Sequence, residues 1–100
     1  MEIDHIKGYE LLEKAILSLK TKEDVKMLLE DLMTIKEVSD LAQRMLVAKM
    51  LSEQTVYSKI ADETGASTAT ISRVNRSYRY GAGGYRTVLE KIAEENNDSK

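Results

Sequence analysis

The sequence contains no cysteine, no proline, no tryptophan and no phenylalanine, and its one histidine is His5. Without cysteine there is neither a disulfide framework nor a thiolate metal site, and the expectation is a reducing, cytoplasmic compartment. The missing proline removes the strongest helix breaker, which suits a chain that is helical nearly throughout. No apolar run is long enough to span a bilayer, and Met1-Glu-Ile-Asp-His5 is unlike a signal peptide, so no membrane partner is expected. His5 lies near the amino-terminal end, where neither a metal site nor a general base is expected. With no large aromatic residue except tyrosine, the core must come from Leu, Ile, Val, Met and Ala, with tyrosine as the one aromatic candidate. One hundred residues make one domain, 1–100. Short helices with modest side chains bury a marginal core alone, so a homodimer is expected.

The net charge of −2 is divided unevenly. Residues 1–66 carry nine Lys/Arg against thirteen Asp/Glu, whereas residues 67–91 carry Arg73, Arg76, Arg79, Arg86 and Lys91 against Glu90 alone. No acidic residue occurs from Thr64 to Leu89. A basic face on an acidic protein is the footprint of a polyanion site confined to one surface. Ordinary solvated helix faces mix both signs, as residues 20–40 do.

Taken in order, residues 5–19 place Leu12, Ala15, Ile16 and Leu19 at helical spacing, the mark of one buried stripe. Thr21 and Asp24 can start a second helix, with the stripe Val25, Leu28, Leu29 and Leu32. Thr34-Ile-Lys-Glu37 is a capping box opening the longest helix, which runs to about Ser52. Ile35, Val38, Leu41, Ala42 and Met45 mark one face of it, and Leu46, Val47, Met50 and Leu51 spread apolar surface onto another. A helix apolar on two sides is expected to be buried on two sides. Residues 80–85, Tyr-Gly-Ala-Gly-Gly-Tyr, end a helix and make a joint; the run lacks the lysine and preceding strand of a phosphate-cradling loop. A last helix over 85–95 points Val88, Leu89 and Ile92 inward, and 96–100 reads as a polar tail.

The stretch from Tyr57 to Val74 reads as two short helices meeting at Gly65. Ile60, Ala61, Ile71 and Val74 face inward, Gly65 supplies a positive φ for the turn, and Ser67 caps the second helix. This is the plan of a helix-turn-helix, whose second helix enters the DNA major groove. Within a reading head of residues 55–79, the expected DNA contacts are Ser67, Thr68, Ala69, Thr70, Ser72, Arg73, Arg76 and Arg79. Thr68, Ala69 and Ser72 meet base edges, and the three arginines meet phosphates. The hydroxyls at 67, 68, 70, 72 and 77 have no histidine beside them, which suits caps and phosphates rather than nucleophilic catalysis. Neither a catalytic residue nor a cofactor is expected. The alternative reading is a dimeric helical module that binds protein through the basic face.

Gly-Ala-Ser-Thr-Ala-Thr-Ile-Ser-Arg, residues 65–73, together with Leu41-Ala-Gln-Arg44 and the cap at Thr34, resembles the tryptophan repressor. The chain resembles the tryptophan-repressor-like YerC/YecD family more closely, over nearly its whole length, down to the Tyr-Gly at 80–81 before the last helix. The resemblance implies an all-α, six-helix fold, an intertwined homodimer with 5–52 and 85–95 as its core, and a bacterial transcriptional regulator acting on a palindromic operator. It also implies an effector pocket at Thr34, Arg44, Thr70, Arg73 and Ser77, where arginines and hydroxyls hold a small-molecule carboxylate. The repressor has glycine just after the second arginine; this chain has Val74, which takes space beside an indole ring. Tryptophan is therefore not expected as the effector. Read without the resemblance, Arg44 forms an ion pair with a nearby acid such as Asp40, at helical spacing.

Overall fold

The computed structural model describes residues 2–98, which form six helices: α1 (Tyr9–Leu17), α2 (Lys22–Leu32), α3 (Ile35–Ser52), α4 (Tyr57–Thr64), α5 (Thr68–Tyr80) and α6 (Gly84–Asp98). No strand occurs among the described residues. The chain divides into two compact units, 1–35 and 36–100.

In the first unit, α1 is shorter than its apolar spacing suggests. It starts after Gly8, whose φ of 89° is left-handed, and stops at Ser18, whose hydroxyl donates to the Ala15 carbonyl. α2 begins as its sequence dictates. Thr21 Oγ1 accepts the Asp24 amide at 3.0 Å, while the Asp24 carboxylate accepts the Lys20 amide, so two donors at the helix start are satisfied together. Neither helix has a buried residue. Leu12, Ile16, Val25 and Leu32, expected inside, are exposed, whereas Ala15, Leu19, Leu28 and Leu29 are half-buried.

In the second unit, α3 buries Val47, Ala48, Met50 and Leu51. Its other apolar face stays open: Leu41 and Leu46 are exposed. Burial on two sides is thus met on one side within this chain. The helix ends with Gln54 in the left-handed region (φ 61°), the Thr55 amide on the Met50 carbonyl and the Gln54 amide on the Leu51 carbonyl. This is a Schellman arrangement carried by a residue other than glycine.

The α3 residues join Ile60 of α4, Ala66 of the turn, and Ile71 and Val74 of α5 in one core, with Ala61, Tyr85 and Leu89 packed against it. α5 ends at Gly81, where a Cβ would collide with the Ser77 carbonyl, so the conformation that closes the helix requires glycine. Two expectations for α6 need correction. The helix runs to Asp98 rather than ending at 95, since no glycine or proline follows Gly84 and a helix already propagating passes through polar residues. The expected tail at 96–100 is therefore helical through 98, and Ser99 and Lys100 lie outside the described residues. Of the inward set, Leu89 alone packs on the core; Val88 and Ile92 are exposed.

Candidate nucleic-acid interface

The turn between α4 and α5 is built by local chemistry. Gly65 takes φ 73° and its amide donates to the Ala61 carbonyl at 2.9 Å, closing α4 with the left-handed residue that a tight turn needs. Ser67 Oγ accepts the Thr70 amide at 3.1 Å and its hydroxyl lies 3.1 Å from Thr70 Oγ1. α5 therefore starts at Thr68 with a satisfied cap and no acid in its first turn.

Ile71 and Val74 lock the inner face of α5 into the core. That anchoring turns Thr68, Ala69, Ser72, Arg73, Arg76 and Arg79 outward, and all six are exposed; Thr70 is half-buried behind Ser67. Arg79 Nε donates to Asn75 Oδ1 at 3.0 Å, which orients the guanidinium along the helix. The ion pairs of residues 36–98 include Lys36 with Asp40 in α3 and Lys59 with Glu63 in α4. Arg44, Arg73 and Arg76 form no ion pair among the described residues, and their charges remain available to an anion.

Arg86, absent from the expected contacts, joins the basic surface through α6. Its Nε donates to the Tyr78 carbonyl at 3.0 Å and its guanidinium lies 4.9 Å from the centre of the Tyr78 ring. A cation fixed over a ring in this way holds the α5–α6 joint. The signal in the sequence was only its place in the acid-free stretch.

Arg44, Thr70, Arg73, Val74, Ser77 and Tyr85 line a cavity of about 200 Å³. Four of the five expected effector residues thus stand together. Thr34 belongs to the first unit. Of the acids that Arg44 could pair with at helical spacing, Asp40 is taken by Lys36, Oδ2 to Nζ at 3.2 Å, and Arg44 lines the cavity. Val74, 4% exposed, contributes apolar bulk to the same cavity.

At the amino-terminal end, Glu2, Asp4 and His5 bring potential ligand atoms within 4.8 Å of one another, and His5 Nε2 lies 3.0 Å from Glu2 Oε2. All three are exposed, which is ordinary for polar groups near a chain end. No described helix is long and apolar enough to cross a membrane.

The fold and sequence have close parallels. The chain is 48% identical to the uncharacterised protein YerC of Bacillus subtilis (strain 168), over 99% of this chain and 97% of that protein. The crystal structure of a TrpR-like protein from Eubacterium eligens ATCC 27750 superimposes with a TM-score of 0.85 at 50% identity, covering 89% of this chain and 92% of that one. A candidate Trp repressor from Staphylococcus aureus superimposes with a TM-score of 0.87 at 39% identity, covering 93% and 95%. The family described as Trp repressor protein matches residues 7–93. With its six helices and the turn at Gly65, this chain belongs to the Trp repressor family.

Proposed function

We propose that the protein is a sequence-specific, DNA-binding transcriptional regulator that acts as a homodimer on a palindromic operator, with α5 in the major groove. One observation carries the reading: a capped, core-anchored α5 turns Thr68, Ala69, Ser72, Arg73, Arg76 and Arg79 to solvent on an acid-free stretch. Short polar and methyl groups near the helix start suit base edges, and guanidinium groups further along suit phosphates. Homodimer formation is supported by apolar surface left open in each unit. Leu11, Leu17 and Met27 are exposed in the first. In the second, Met45, Leu46, Leu89, Ile92 and Ala93 form the apolar part of a groove of about 630 Å³ whose remaining lining, Lys49, Ser52, Glu53 and Asn96, is polar. Patches of this kind on a small protein mark association sites.

Selection of bound duplexes from a random DNA pool tests both halves together. A palindromic consensus supports the proposal. Failure to retard any duplex at low salt overturns it, because a basic reading helix retains non-specific affinity there, and leaves a protein-interaction module.

A second reading, an effector-gated regulator, is favoured by the cavity between Arg44 and Arg73. At about 200 Å³ it is smaller than the usual ligand pocket of roughly 300–1,000 Å³. A compact anion suits it better than an indole ring. Isothermal calorimetry with small carboxylates and inorganic phosphate tests this reading.

A further inference from the structure

The helix-turn-helix rests on α3 through apolar contacts, and such contacts are non-directional. Ile60, Ile71 and Val74 against Val47, Ala48 and Leu51 specify that the head is packed, but tolerate small rotations about α3. A directional tie lies next to them. Gln43 Nε2, half-buried on α3, donates to the Thr64 carbonyl at 3.1 Å across 21 residues of chain. The hydrogen bonds that shape α5 at Ser67 and Arg79 stay within four residues.

Thr64 is the last residue of α4, and its carbonyl is one of those that a helix end leaves without an internal partner. Its hydroxyl donates to the Ile60 carbonyl at 2.7 Å and accepts the Ala66 amide at 3.1 Å. Ala66 is buried, and Ser67, the next residue, caps α5. Gln43, Thr64, Ala66 and Ser67 thus connect the α3 strut to the first residue of the reading helix.

We propose that Gln43 is a positioning residue for DNA reading, setting the tilt of α5 through the α4–α5 turn without itself touching DNA. This rests on α5 being the reading helix. Without the tie, the head samples several tilts, and binding to an operator has to select the competent one. Non-specific binding depends on charge and tolerates the range of tilts.

The test compares Gln43→Met, which keeps length and helix propensity but removes the donor, with Gln43→Lys, which keeps a donor. For each full-length protein, affinity is measured for the selected operator and for random duplex at one salt concentration. Hydrogen exchange at the Ala66 amide is followed in parallel. Gln43→Met is expected to lower the operator-to-random ratio by about tenfold, as for one modest hydrogen bond lost in each half of a dimer. Ala66 exchange should quicken, and Gln43→Lys should restore both readouts; taking the ratio cancels the added charge. An unchanged ratio, a parallel fall in both affinities, or no change at Ala66 overturns the proposal. A parent protein that bound no duplex at all would instead sink the DNA reading, and this proposal with it.

Discussion

The side-chain oxygen of Ser67 accepts the backbone amide of Thr70 at 3.1 Å, capping α5 immediately ahead of its first residue, Thr68. Replacing a capping serine with alanine typically costs about 1 kcal/mol. Ser67→Ala is expected to lower unfolding free energy in urea by that amount, and Ser67→Asn, which keeps a cap, by much less. Equal stability of Ser67→Ala and the parent would mean that core packing alone defines the start of α5.

At the end of α3 the conformation and the residue type disagree. Gln54 occupies the left-handed region that glycine enters without steric cost. Gln54→Gly should therefore raise stability by roughly 0.5–1 kcal/mol, after allowing for the greater freedom of glycine in the unfolded chain. Gln54→Val, with its branched Cβ, should destabilise. Thermal melting of the two variants checks the sign.

Legibility in the sequence followed the range of each interaction. Gly65, Ser67, Ile71 and Val74 could be placed in advance because a turn, a cap and a buried helical face are each decided within a few residues. Where several partners stand at equal spacing, the pattern is silent. Lys36 and Arg44 both lie four residues from Asp40, and Arg44 is taken up by a cavity formed with α5 and α6. The link from Gln43 to Thr64 has no local signature, since 21 residues separate the partners. Apolar stripes on α1 and α3 say that a face wants cover, and nothing in their spacing says which chain supplies it.

Arg76 and Ser72 should separate affinity from specificity. Both are exposed on α5, one turn apart. Arg76→Ala is expected to weaken all duplexes about equally and to reduce the salt slope by roughly one unit per protomer, as for a lost phosphate contact. Ser72→Ala should leave the slope alone and change the ranking of sequences. Identical behaviour of the two variants in quantitative binding titrations would refute this division of labour.

Homodimer formation predicts a specific sensitivity of the open groove. Leu46 and Ile92 both line it and both are exposed in the single chain. Leu46→Glu would place a charge in an apolar interface while costing the isolated protomer little, since surface substitutions are usually within about 0.5 kcal/mol. Sedimentation equilibrium at micromolar concentration should show a dimer for the parent and a shift toward the 11.3 kDa protomer for the variant. A parent that sedimented as the protomer alone would refute the dimer.

Val74 lines the cavity beneath Arg44 and Arg73 and is also a member of the core. A ligand shifts an orientation only by its differential affinity for the competing states. Val74 supplies apolar bulk where the tryptophan repressor has glycine, and under the proposed function that bulk would hold α5 without a bound ring. Forcing an indole against this branched side chain would require repacking at about 1–3 kcal/mol, roughly a ten- to hundredfold loss of affinity. Calorimetry with millimolar L-tryptophan is accordingly expected to show no saturable heat in the micromolar range. Val74→Gly should loosen α5 and weaken ligand-free operator binding, but it also places glycine in a helix interior at about 1 kcal/mol. Val74→Ala keeps helix propensity and isolates the loss of bulk, so it carries the decision. Binding of the operator by Val74→Ala as tightly as by the parent, with both proteins folded, would reduce Val74 to a core residue and remove its role in holding the reading helix.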